Sequence, residues 1–392
     1  MIKLNILDQE TIKITNKKRI INLLYKKREL TKQDISKKLN ISVPTIINNV
    51  NELIKEGILE EAGVGDSTGG RKPVIVKFIS SARYSFGVEV KPHYVRIILV
   101  NLDSEIQYDK YFKMNCLQNF NKVLDKVEEE IDIAIKETKI ERYKVLGVGF
   151  SLPGTVNEEK MLLEIAPNLM VKNICFQKFQ SRINIPVYIE NEANAAAYAE
   201  INLSIGNEMK NLVYISITEG IGVGVIVEDN LYKGKNKRAG EFGHMTIVPN
   251  GIECNCGRKG CWEMYVSERA LLNYYNNNST EKISLLKEFF NKLDNNEEIA
   301  IKVWKRYIDY LSIGIQNIIL ALDPHYVVVG GEISEYEDNL LNYLNEKVFI
   351  ENKFYNEKDN RILLSKLKKD SSIKGAALLP YNKLFFLGSK II

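Results

Sequence analysis

Long apolar runs are missing from this chain of 392 residues. No stretch approaches the ~20 consecutive apolar residues of a bilayer-spanning helix, so a membrane protein is not expected. Met1 to Thr11 mix polar and apolar side chains and lack the apolar run of a secretory signal, so a cytoplasmic location is expected. Cysteine is scarce. There are five, an odd number, and three crowd into Cys254–Cys261. That pattern suits a metal site better than a disulfide framework. Histidine is scarcer still, at three. What remains is ordinary for a soluble globular protein: 45% hydrophobic and 27% charged residues, enough to build a core without disulfides. The length suggests two or three domains.

Charge of one sign is nearly absent overall, with a net +4, but it is unevenly placed. Residues 1–80 hold 15 Lys/Arg against 9 Asp/Glu, while the remainder holds 39 against 41. A basic surplus at one end is where a polyanion would be met. The same segment carries helical punctuation. Ile20, Ile21, Leu23 and Leu24 fit one face of a helix over Asn16–Glu29. Thr31 then caps a second helix, with Asp34 at the capping-box position and Ile35 and Leu39 as apolar anchors. After the break at Asn40–Ile41, Ser42 caps a third helix, striped by Ile46, Ile47, Val50, Leu53 and Ile54 and ended by Gly57. Helix, turn and helix at this length form a DNA-reading motif. The third helix would enter the major groove, with Ser42, Val43, Thr45, Asn48 and Asn49 facing outward toward bases or phosphates. Two strands around a glycine-rich loop follow. Gly69-Gly70-Arg71-Lys72-Pro73 has the makings of a minor-groove hook, with Arg71 and Lys72 as DNA contacts. A small helical packing module and a plain linker remain open as alternatives for these two features.

Beyond residue 80 the chain repeats itself. Ser85–Ile106 runs strand, turn, strand, and Leu212–Leu231 follows the same plan; helical stretches come later in each half, at Phe120–Thr138 and Trp304–Leu322. Such a duplication implies an α/β body of two lobes with a cleft between them, where ligands prefer to bind. Within the second half, His244, Cys254, Cys256 and Cys261 are spaced H-x9-C-x-C-x4-C. One imidazole and three thiols favour tetrahedral Zn²⁺, and a filled ligand set favours a structural role. Gly257 and Gly260 let the loop turn tightly. Unligated buried cysteines are the plainer alternative.

These motifs carry a resemblance. Glu241-Phe242-Gly243-His244, followed by the run from Cys254 to Glu263, resembles the signature of the ROK family (repressors, open reading frames, kinases). Glu190-Asn191-Glu192-Ala193-Asn194, Gly149–Gly154, Ala166–Leu169 and Val328–Gly331 resemble further family motifs. The match spans essentially the whole chain, and the winged-helix head with its Gly69–Pro73 hinge resembles the repressor branch. The resemblance implies an N-terminal winged helix-turn-helix over 1–80 and an actin-like two-lobed sugar-kinase fold over 81–392. It also implies that Asn168, Asn191, Glu192, Glu241, His244 and Glu263 contact a sugar. Carboxylates and amides suit hydroxyls, which both donate and accept. His244 could hold zinc with one ring nitrogen and a hydroxyl with the other, and the zinc loop would steady His244 and Glu263. Capping of the next helix is the structural alternative for Asn191 and Glu192, and a surface position for Glu263.

Phosphoryl transfer is not expected. Family kinases have Asp at the base position; here it is Glu192, and a displacement of about 1 Å can cost on the order of a hundredfold. The first phosphate turn reads Lys91-Pro92-His93, where proline offers no N–H. Glu89 stands where an Asp is expected, and Glu219 puts negative charge in the second turn. The expectation is a repressor of at least two copies, dimer or tetramer, that binds operator DNA and is released by a small free sugar. Xylose leads, by similarity of the Glu190–Asn194 motif to xylose repressors, with glucose or an amino sugar behind. A sugar kinase with a DNA-binding head, and a regulator that meets a protein partner, are the alternatives.

Overall fold

The computed structural model describes residues 9–64, 74–117, 119–204, 210–349 and 354–385. The head begins with α1 (Gln9–Lys27), which starts earlier than its apolar stripe; Ile12 and Ile14 are exposed there and only Ile20, Ile21 and Leu24 are buried. A short strand β1 (Glu29–Thr31) leads into α2 (Lys32–Leu39). Thr31 Oγ1 accepts the Asp34 N–H at 3.1 Å, the expected cap, a contact worth about 1 kcal/mol. Asn40 in the left-handed region turns the chain into α3 (Val43–Lys55), capped by Ser42. The wing strands β2 (Leu59–Val64) and β3 (Val74–Phe78) pair antiparallel, and β1 adds to the other edge of β3. Arg71 and Lys72 lie outside the described residues.

One expectation for α3 is corrected. Asn49 does not face outward: it is 4% exposed, and its Nδ2 donates to Thr45 O at 2.8 Å. A step of 100° per residue puts it on the face of Ile46, Val50 and Leu53, which pack inward. Ile47, assigned to the apolar stripe, is instead 37% exposed.

The body holds two five-stranded sheets of identical order. The first lobe contains β4 (Tyr84–Lys91), β5 (Tyr94–Asn101), β6 (Ile106–Lys113), α4 (Phe120–Thr138), β7 (Val145–Leu152), β8 (Thr155–Asn157), β9 (Leu162–Ala166), β10 (Val171–Cys175), α5 (Gln177–Ile183), β11 (Val187–Asn191) and α6 (Glu192–Ala199). The second contains β12 (Leu212–Ile217), β13 (Ile221–Val227), β14 (Asn230–Leu231), α7 (Glu263–Val266), α8 (Glu268–Asn278), α9 (Leu286–Asp294), α10 (Glu298–Leu322), β15 (Tyr326–Gly330), α11 (Glu337–Phe349), β16 (Arg361–Leu364) and α12 (Ser371–Leu378). The sheets read β6-β5-β4-β7-β11 and β14-β13-β12-β15-β16. In each, the first three strands form an antiparallel meander and the last two run parallel to the central strand. The duplication expected at Ser85–Ile106 and Leu212–Leu231 is therefore one of topology as well as sequence.

The lobes exchange their last helices. α12 lies so close to the first sheet that a Cβ on Gly149 would strike the backbone of Ala376, and α6 lies so close to the second that a Cβ on Gly224 would strike Ala193 O. Ala193, Ala195, Ala196 and Ala197 are buried because only small side chains fit that contact. Head and body share a continuous apolar cluster: Ile20, Leu24 and Phe78 of the head join Ile98, Tyr198, Tyr381 and Phe385 of the body. Tyr25 meets Phe385 with ring centroids 5.3 Å apart, Arg28 pairs with Asp103 at 2.5 Å, and Lys18 Nζ donates to Asn382 O at 2.5 Å.

Candidate functional site

The candidate residues stand after β9 and at the end of β11 of the first lobe and between β14 and α8 of the second. β11 delivers Asn191 and α6 begins at Glu192. Asn191 caps that helix: its Oδ1 accepts the N–H groups of Ala193 and Asn194 at 2.9 and 3.2 Å, and its Nδ2 donates to Gly154 O. The capping alternative is thus realised for Asn191. Glu192 turns into an interlobe cavity of 280 Å³, where Asn168 also stands, on the 3-10 turn after β9. Asn191 and Glu241 line a neighbouring pocket of 50 Å³. His244 and Glu263 line neither cavity; they sit behind, on the loop that carries the cysteines.

That loop, 232–262, has little regular structure. His244, Cys254, Cys256 and Cys261 present ligand atoms within 4.8 Å of one another. Cys254 Sγ is 3.6 Å from His244 Nδ1, and Cys256 Sγ is 3.6 Å from Cys261 Sγ. Tetrahedral Zn²⁺ with Zn–S near 2.3 Å would hold two sulfurs about 3.8 Å apart, so donor set and spacing are compatible with a structural zinc. Gly260 adopts φ +75°, and a Cβ there would strike Val248 O. Beyond the cluster, buried Trp262 donates its indole N–H to Tyr310 O, fastening the loop to α10. On the other side of the His244 ring, Nε2 lies 3.9 Å from Glu241 Oε2, and the Glu241 side chain is 54% exposed. Glu263 Oε2 accepts the N–H of Ile221 at 3.1 Å, and Arg269 lies 3.9 Å from its other oxygen. It is therefore no mere surface residue.

Several residues that were not among the expected sugar contacts complete the cleft. Lys91, at the end of β4, forms an ion pair with Glu192. Burial opposes its charge, yet Glu192 and Glu89 hold the ammonium above its usual range. Glu89 is buried and accepts hydrogen bonds from Tyr94 and Ser372. Glu190 is buried too; its Oε1 accepts from Asn191 N and Asn194 Nδ2, and its Oε2 pairs with Lys233 at 2.5 Å. Facing them across the cleft are Glu219, Glu268 and Glu332 of the second lobe. Burial, then the charge of Glu332, pushes the Glu268 carboxyl up to about 8, against the pull of Lys91. Glu190 was visible as part of the Glu190–Asn194 motif. Lys91 was seen only as part of a defective turn, and Glu268 carried no sequence signal.

The arrangement offers amides and carboxylates for hydroxyl groups. For a nucleotide it offers a proline turn and a wall on which Glu219, Glu268 and Glu332 stand beside Lys368 and Lys369. A base at Glu192 would have to release a lysine before accepting a proton.

A family model described as "ROK family" matches residues 85–383, and one described as "Winged helix-turn-helix DNA-binding" matches residues 15–60. A xylose repressor of Bacillus subtilis is 33% identical over 88% of this chain and 89% of its own length. A xylose repressor of Caldicellulosiruptor bescii is 30% identical over 93% and 94%. A glucokinase of Streptomyces coelicolor is 30% identical, but over 51% of this chain and 68% of its own. Among solved structures, a ROK family transcriptional regulator, homologue of the E. coli MLC protein, superposes with TM-score 0.83 at 24% identity, covering 95% of this chain and 98% of its own. A Streptomyces griseus ROK glucokinase with glucose and AMPPNP gives 0.63 at 23% identity, over 76% of this chain and 98% of its own. At these identities the two structures speak for the fold.

Proposed function

This chain belongs to the ROK family, and on that premise we propose that it is a sugar-responsive transcriptional repressor whose body senses a sugar without phosphorylating it. The head, residues 1–80, binds operator DNA; the body, residues 81–392, binds the effector. The observation that carries the reading is the Lys91–Glu192 ion pair inside a body joined by one apolar cluster to a winged helix-turn-helix. The carboxylate at the kinase base position is spent on a lysine. Xylose is the favoured effector, because two relatives similar over about nine-tenths of the chain are named for it. Asn168, Asn191, Glu192, Glu241, His244 and Glu263 are the proposed sugar contacts. Asn191 offers what its capping role leaves over.

A structural Zn²⁺ on His244, Cys254, Cys256 and Cys261 would hold His244 and Glu241 toward the cleft. The working form is a cytoplasmic homodimer or homotetramer with paired heads. A sugar shifts the lobe equilibrium only by its differential affinity for the two arrangements. Paired heads read half-sites at fixed spacing, so a lobe rotation that changes their spacing lowers operator affinity. The test is operator binding by the full chain with and without free xylose, alongside ATP consumption. Release by xylose without ATP turnover is expected. Turnover with any monosaccharide would overturn the reading in favour of a kinase with a DNA-binding head.

A further inference from the structure

The proposed repressor reading leaves open which bases the head reads, and the outer face of α3 bears on that. From Ser42 to Asn51 the helix and its cap contain no ionisable side chain. The first, Glu52, pairs with Lys13 and Lys17 of α1, on the side away from the outer face. Ser42 and Thr45 spend their hydroxyls on each other, 2.8 Å apart, at the cap. Asn49 is turned inward onto Thr45. Among the exposed side chains that α3 presents to a groove, with Ser42, Pro44 and Asn51, are Val43, 39% exposed, Ile47, 37% exposed, and Asn48.

The base edges of the major groove sort this set. Guanine is read by a cation that bridges O6 and N7, and the stretch from Ser42 to Asn51 has none to offer. An amide matches adenine N6 and N7, and an aliphatic side chain matches the thymine C5-methyl. Two branched aliphatics four residues apart lie about 6 Å apart along a helix axis. At about 3.4 Å per base pair, they span about two steps of duplex. Elsewhere on the surface such exposure would only cost hydration. At the start of a recognition helix it removes methyl groups from water.

We infer that α3 is an A·T reader: Val43 and Ile47 each cover a thymine methyl, at positions about two base pairs apart, and Asn48 meets an adenine edge. The basic side chains of the head lie outside this stretch of α3, so they supply phosphate contact and salt dependence, while the uncharged helix supplies discrimination.

The full-length chain, without sugar, is used to select its site from randomised duplexes. Each thymine of the selected half-site is then replaced singly by deoxyuridine, which lacks only the methyl. Two replacements, about two base pairs apart, should each weaken binding about 3–10-fold, the worth of one buried methyl. Ile47→Ala should bind the thymine and uracil versions of one position equally, and Val43→Ala those of the other, with unchanged salt slopes. Both side chains are exposed, so both variants should fold; their melting curves check this. If uracil is tolerated throughout, or if the variants keep the methyl preference, the inference falls. If no sequence is selected at all, the repressor reading falls with it. Methyl dependence in a protein that ignores every sugar would sustain this inference and sink only the sensor half of the functional reading.

Discussion

The two lobes share a sheet order but secure their insertions by different means. In the first, residues 153–175 fold into a small antiparallel sheet, β8-β9-β10, whose backbone ladder carries Asn168 to the cleft. In the second, residues 232–262 have only two isolated bridges, Thr246 to Cys261 and Glu253 to Lys259. There a histidine and three cysteines converge instead. A ladder spreads its cohesion over many bonds of about 1 kcal/mol each. A metal centre concentrates it in one ion, whose binding is itself folding free energy. The two insertions should therefore fail differently.

The largest expected effect comes from breaking that centre. Cys261→Ala should lower the unfolding temperature by roughly 4–6 °C, equivalent to about 3–5 kcal/mol in a chain of this size. A strong chelator should do the same to the unaltered protein. Amide exchange should rise across 232–262 and stay unchanged across 153–175. A chelator without effect, or metal analysis that finds no zinc, would remove the ion from the account. Because His244 and Glu241 ride on this loop, sugar binding should fall in the same variant.

The cleft walls repeat the contrast in electrostatic form. The carboxylates of the first lobe are paired: Glu192 with Lys91 of the same lobe, and Glu190 with Lys233 of the second. On the second, Glu219, Glu268 and Glu332 line the wall together, with Lys368 and Lys369 nearby. Glu268 is half-buried beside Glu332, and desolvation together with that neighbour pushes its carboxyl up to about 8 in the folded chain, above the value of an exposed glutamate. The folded state therefore holds a proton that the unfolded state has released. That stability is fully present below the unfolded value near 4.5 and is lost as pH rises toward 8. Glu268→Gln removes the titrating group. Against wild type it should be of similar stability at pH 4.5 and more stable by roughly 2–4 kcal/mol at pH 8.5. Denaturation midpoints across that range give the answer; parallel curves for the two proteins would show that Glu268 titrates normally.

How far these features could be read beforehand depended on whether their cause was local. The caps at Thr31 and Ser42 and the His244–Cys261 spacing all fall within a few residues of what they organise. The corresponding helices and cluster stand where those signals put them. The misreading of Asn49 was also local: two adjacent asparagines look alike, but their 100° separation sends Asn48 out and Asn49 in. The early start of α1 had no apolar signal, because Gln9–Asn16 packs against little. The Lys91–Glu192 pair could not be read at all. Its partners are a hundred residues apart and meet only because β4 and β11 flank β7 in one sheet and end on the same side. The carboxylate cluster opposite has the same origin, since Glu219, Glu268 and Glu332 belong to three separate segments.

The smallest effect on stability should reveal the most about coupling. α6 and α12 are counterpart helices of the two lobes, and both lead to the head. α6 starts at Glu192 in the cleft and carries Tyr198 near its other end, where the phenol donates to Asn382 Oδ1 at 2.9 Å. Asn382 follows α12, and its carbonyl accepts Lys18 of α1. One asparagine thus touches the last helix of the first lobe, the tail of the second and the first helix of the head. Tyr198→Phe removes one hydroxyl; because Asn382 is exposed and can hydrate, the cost should be about 1 kcal/mol or less. Sugar affinity and sugar-free operator affinity should stay within about twofold, while the ratio of operator affinities without and with sugar should shrink severalfold, since coupling is a free energy that one lost contact can erode. An unchanged ratio would mean that lobe movement reaches the head through the shared apolar cluster of Leu24, Phe78 and Phe385 alone. In that case Phe385→Leu, and not Tyr198→Phe, should weaken the response.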